Sequence, residues 1–223
     1  MPKSRRRPSA IAIIGCARDI TSANKAPGGF GWGGSVGQSI LDANEAILGG
    51  FYYWGPNAKN TPFRYGAMVV IPRSSTTAKP CVTQIASEEL GGLNPQASIA
   101  VRKSTDNGDG SWGPWEWVNP PMELGVEYRT TERYLGKPVY VKMVDFGALP
   151  NASYKFVGIE NGASIIRVSA LASNGKTLPG SIGASQREQV LCMGSSNSVE
   201  IITYADASSL TATVTAWYTK TAD

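Results

Sequence analysis

The chain has 223 residues, of which 42% are hydrophobic and 17% charged; 21 Lys and Arg against 17 Asp and Glu leave a net charge of +4, and there is no histidine. That is long and apolar enough for two small packed domains or one large one, which excludes wholesale disorder. The missing histidine excludes Ser-His-Asp and Cys-His nucleophiles, His general bases and His-ligated zinc.

Lys3, Arg5, Arg6 and Arg7 carry four positive charges at the start of the chain, and the remainder is close to neutral. No extended basic face for nucleic acid is implied, so no nucleic-acid partner is expected. The apolar run containing Ile11, Ile13 and Ile14 is cut off by Gly15, Arg18 and Asp19. It is too short for a secretory leader and far below the ~20 residues of a membrane span, so no membrane insertion is expected. Residues 1–27 are read as an extended arm whose isoleucines add a strand to a partner or fill a groove. Gly29, Gly31 and Gly34 formally spell a dinucleotide-binding fingerprint. The strand before it and the helix after it are both absent from the pattern, so no nucleotide cofactor is expected.

Residues 42–48 predict a short helix capped by Asp42, with Glu45 in its first turn and Gly49 and Gly50 ending it. Strands follow at 51–54, 65–71, 81–86 and 98–103. Asp106, Asn107, Gly108, Asp109 and Gly110 read as a turn rather than a calcium loop, because Gly108 stands where an oxygen ligand is required. The next strand is placed at 112–118, where Trp115 and Trp117 would share one face. The cluster Trp112, Trp115 and Trp117 has two readings, a sugar-stacking platform or structural packing. Asn119, Pro120, Pro121 and Met122 form a stiff linker, the expected domain boundary.

Beyond it, 128–134 and 137–146 predict a hairpin turned at Leu135 and Gly136. Further strands are expected at 155–159, 164–172, 189–193, 199–204 and 210–218. Turns are expected at Asn161 and Gly162, at Asn174 and Gly175, and from Ser195 to Asn197. Many short strands at this spacing argue for a β-sandwich or jelly roll. Cys16, Cys81 and Cys192 are scattered and odd in number, so neither a disulfide framework nor a metal site is implied.

Two segments resemble bacteriophage fibre proteins. Gly50, Phe51, Tyr52, Tyr53 and Trp54, followed by Trp112, Gly113, Pro114, Trp115, Glu116 and Trp117, resemble the pyocin-knob modules of tail fibres. The stretch from Tyr128 to Pro150, with the ending from Ala212 to Asp223, is similar to the C-terminal β-domain of many phage fibres. The resemblance implies a mainly β homotrimer with three parts. These are a virion-anchoring arm over 1–27, a knob-like module over 28–119 and a C-terminal antiparallel sandwich, jelly-roll-like, over 122–223. It also makes the three tryptophans a structural signature.

The expected function is attachment of the particle to its host as a tail-associated fibre, with a capsid-anchored head fibre as alternative and a polysaccharide-degrading tailspike as second alternative. No catalytic residue set, cofactor or metal is expected. Carboxylates such as Glu116, Glu127, Glu132 and Glu200 supply no singled-out pair for glycoside hydrolysis. Expected partners are further copies of the chain, a host surface glycan or protein, and a tail or capsid protein held by Arg5, Arg6, Arg7, Ile11, Ile13 and Ile14. The polar turns carrying Asn161, Asn174, Lys176 and Asn197 are the expected receptor contacts. The expected location is the virion, assembled in the bacterial cytoplasm.

Overall fold

A computed structural model describes residues 37–72, 81–89, 98–104, 111–159, 162–183 and 188–221; the side chains of 162 and 163 are not among them. The arm isoleucines, the arm arginines, the glycine-rich segment before Gly37, the 106–110 turn and Asn161 therefore lie outside the described residues. The chain divides into two compact units, Met1–Trp115 and Glu116–Asp223. Fifteen strands are present among the described residues, and the fold is mainly β as the alternating sequence predicts. No described helix is long and apolar enough to cross a membrane.

In the first unit, β1 (Gln38–Ser39), β2 (Gly50–Trp54), β3 (Gly66–Pro72), β4 (Val82–Glu88) and β5 (Ile99–Lys103) lie side by side in chain order. The β1–β2 pair is parallel and the rest are antiparallel. Registers place Tyr52, Met68, Ala86 and Ala100 in one cross-strand row and Val70, Gln84 and Arg102 in the next, all buried. Gly66 is required where it stands: a Cβ there would lie 2.5 Å from the Trp54 ring and 2.7 Å from the Ser87 carbonyl.

The expected helix over 42–48 is a single 3₁₀ turn, Ala43–Glu45. The cap is as predicted, since Asp42 Oδ1 accepts from the Asn44 amide at 2.8 Å. Ala46 leaves helical geometry (φ −81°, ψ +79°), so no second turn forms. The expected strand over 112–118 also shrinks. Trp112 makes an isolated bridge to Ser104, and only Glu116–Trp117 (β6) is extended. Gly113 and Pro114 explain this, because neither sustains a ladder.

In the second unit, β7 (Glu127–Tyr134) and β8 (Lys137–Ala148) form the predicted hairpin. Leu135 (φ +50°) and Gly136 (φ +80°) are both left-handed, the backbone of a two-residue I′ turn. The remaining strands are β9 (Tyr154–Gly158), β10 (Gly162–Ala172), β11 (Thr177–Leu178), β12 (Gly180–Ser181), β13 (Gln189–Gly194), β14 (Ser198–Thr203) and β15 (Thr211–Lys220). One sheet runs β6-β7-β8-β15-β10-β11 and the other β12-β13-β14-β9. A single core joins them, with Phe146, Ala170, Val214 and Tyr218 from the first sheet and Val190, Cys192, Val199 and Ile201 from the second. The unit is a two-sheet β-sandwich. Sequence reading missed β11 and β12, two-residue strands on either side of Pro179.

Candidate functional site

Strand alternation in the four-stranded sheet sends Val157, Val190, Cys192, Val199 and Ile201 inward and leaves a second row set outward. Cross-strand registers build that outer face as two rows. One joins Tyr154, Ile202 and Leu191, and the other joins Phe156, Glu200 and Met193. Tyr154 is 64% exposed and Phe156 50% exposed, their ring centroids 5.5 Å apart at an interplanar angle of 71°. Tyr204, just past β14, is 60% exposed. β9 is the terminal strand of its sheet, so both rings stand at a sheet edge. Together they make an exposed aromatic patch at that edge. The signal in the sequence was Tyr154 and Phe156 at strand spacing, opposite two more apolar strands.

The expected receptor residues do not gather there. Asn174 follows β10: its Oδ1 accepts from the Lys176 amide at 3.2 Å and its Nδ2 donates to the Ile182 carbonyl at 3.1 Å. Asn197 lies in the β13–β14 turn, its carbonyl accepting from Ile159 at 2.7 Å. Ile159 precedes β10 and Asn174 follows it, so the two turns are separated by that strand, roughly 35 Å long. Asn174 with Lys176 and Asn197 therefore occupy opposite ends of the sandwich, because successive antiparallel connections alternate ends.

Trp112 and Trp115 pack against a buried arginine. Arg102, 6% exposed, places its guanidinium carbon 4.4 Å from the ring centroids of both Trp112 and Trp115. Its Nε donates to Gln84 Oε1 at 2.8 Å. Gln84 Nε2 in turn donates to the Ala43 and Ala46 carbonyls at 2.7 and 2.9 Å, fixing the 3₁₀ turn. Burial pulls the Arg102 pKa down to about 10, opposed by the nearby Asp42 charge. Trp115 Nε1 donates to the Asn60 carbonyl at 2.9 Å. Trp117 belongs to the second unit and meets Tyr128 edge-on at 5.1 Å. Trp115 is not on a strand, so the expected shared face of Trp115 and Trp117 does not form.

Three carboxylates of the larger sheet are engaged in ion pairs, and a fourth, Asp145, accepts from the Gly147 amide at 2.8 Å. Glu116 accepts from Arg129 at 3.0 Å and Arg133 at 2.7 Å, Glu127 from Tyr218 and Lys220, and Glu132 lies 3.8 Å from Arg167. Glu116 thus sits between two guanidinium groups. Among the described residues no three Cys, Asp or Glu side chains come together as a metal-binding set.

The first unit carries a second outward face. Tyr53 and Ala67, then Val69, Ile85 and Val101, form uncharged rows, with Ile71 49% exposed beyond them. A hollow of about 680 Å³ opens over these rows.

No family model matches the chain, and no curated protein matches it. An N-truncated R2-type pyocin tail fibre aligns over 84% of this chain and 99% of its own, at 11% identity and a TM-score of 0.28. The R2 pyocin fibre of P. aeruginosa aligns over 84% and 68%, at 10% identity and 0.28, and its R1 counterpart over 80% and 66%, at 11% and 0.26. Overlaps this slight transfer neither fold nor function.

Proposed function

We propose that the chain is a structural subunit of a phage-type fibre, homotrimeric, which attaches a particle to a bacterial surface by binding and without converting what it binds. The observation that carries this reading is the outer face of the small sheet, where Tyr154, Phe156 and Tyr204 are held exposed by a well-packed sandwich. The fibre-like landmarks in the sequence support it. Trimer formation is supported by the first unit's uncharged rows. Residues lying at a threefold axis meet their own copies, and a charge there would face like charge. The arm over residues 1–27 is the proposed virion anchor, leaving the second unit for recognition.

The test uses the purified full chain. Sedimentation should give three chains, and Val69→Arg should yield a folded monomer. Labelled protein should adsorb to a subset of a bacterial panel, and Tyr154→Ser with Phe156→Ser should cut adsorption about tenfold or more with the melting temperature unchanged. A wild-type monomer would remove the trimer, and undiminished adsorption would move recognition elsewhere. Release of reducing sugar from the bound surface would restore an enzymatic reading.

A further inference from the structure

Glu200 differs from the other strand carboxylates of its unit. Glu116, Glu127 and Glu132 each have an Arg or Lys partner, and Asp145 accepts from the Gly147 amide. Glu200 is half-buried in the middle of the aromatic face, opposite Phe156 on one side and Met193 on the other. Among the described residues it has neither an ion-pair partner nor a hydrogen bond to its carboxylate. Lys155, the cation on the adjacent strand, alternates to the opposite side, where its Nζ donates to the Phe146 and Ala148 carbonyls at 2.7 and 3.2 Å. Residues directly opposite on antiparallel strands have Cβ atoms about 5 Å apart, so Glu200 and Phe156 are cross-strand neighbours on this face.

An uncompensated anion among apolar groups selects its ligand by charge. A neutral sugar could stack on a ring and donate a hydroxyl to the carboxylate, but it brings no counter-charge. An alkylammonium group answers both, because ring faces attract cations and the carboxylate supplies the counter-charge. The 71° angle between Tyr154 and Phe156 makes two walls of a corner rather than a flat stacking platform. We propose that Tyr154, Phe156 and Glu200 bind an ammonium group borne by the surface polymer, either a quaternary ammonium or a protonated amine. The inference rests on the recognition role proposed above and names its ligand chemistry.

The experiment titrates the full chain with choline, with glucosamine and with 3,3-dimethylbutan-1-ol, the neutral carbon isostere of choline, following aromatic proton resonances. Choline or glucosamine should bind saturably, with a dissociation constant on the order of 1 mM, and whichever binds tighter identifies the source of the ammonium. The neutral isostere should not bind. Glu200→Gln, which keeps the shape and removes the charge, should weaken binding about tenfold, and so should Phe156→Leu. Equal binding of the neutral isostere, or an unchanged constant in Glu200→Gln, would overturn the inference. Adsorption to bacteria separates the two levels. Adsorption that persists in Glu200→Gln and ignores choline overturns the ammonium ligand alone, whereas no adsorption by the wild-type chain overturns the recognition role itself.

Discussion

Replacing Arg102 with Met tests what holds the first unit's landmark tryptophans. Methionine keeps an unbranched apolar stem between Trp112 and Trp115 and removes the charge and the planar fork. Two ring contacts at 4.4 Å are lost, worth about 1 kcal/mol each for rings that are half-buried, between the exposed and desolvated limits. Gln84 Oε1 loses the 2.8 Å donor and is left buried, a cost of about 1–3 kcal/mol. Against this, Arg102 Nη2 is itself buried without a hydrogen-bond partner among the described residues, and removing it returns about 1–3 kcal/mol. The net expectation is a loss of about 2 kcal/mol, a shift of about 1 M in the urea midpoint followed by tryptophan fluorescence. Arg102→Lys should do no better, since an ammonium cannot fill the flat slot between two rings. A methionine variant as stable as wild type would show that guanidinium desolvation outweighs both ring contacts and the glutamine bond, and that the slot is held by apolar packing alone.

Gly66→Ala should destabilise by about 1–3 kcal/mol in thermal or urea unfolding, because its methyl would meet both a ring and a backbone carbonyl well inside contact distance. Leu135→Asn should stabilise by about 0.5–1 kcal/mol by the same measurement, since Leu135 is exposed at φ +50° and Asn-Gly suits an I′ turn. Burial raises the Cys192 thiol to about 11, so at pH 8 it should remain protonated and resist a thiol reagent until the protein unfolds. Cys81, half-buried, should react in the native state, and peptide mapping distinguishes the two.

The sequence shows the sandwich best where local rules act alone. Leu135 and Gly136 turn a hairpin because they separate two alternating runs by two residues, and Asp42 caps because an Asp before a polar turn has an amide within reach. Reading failed where one residue overrides its neighbours. Gly113 and Pro114 break a tryptophan-rich run that looks extended, and the helix expected over 42–48 ends at Ala46 after one turn. Gln84 and Arg102 are polar residues in strands, and no pattern along the chain announces that they bond to each other and to the turn at Ala43. The exposed aromatic face of the small sheet was hidden for a related reason. Tyr154 and Phe156 look like core residues until pairing with β14 puts Lys155 and Val157 on the inner side. Loop polarity directed attention instead to Asn174 and Asn197, which antiparallel winding sends to opposite ends.

The central claim is that this chain is a surface-binding fibre subunit. Immunogold labelling of intact particles with an antibody against the second unit tests it most directly. The account predicts label at the free ends of an external appendage, lost when residues 2–20 are deleted from an otherwise folded trimer. Label confined to the particle interior, or particles that carry none of the protein, would contradict it.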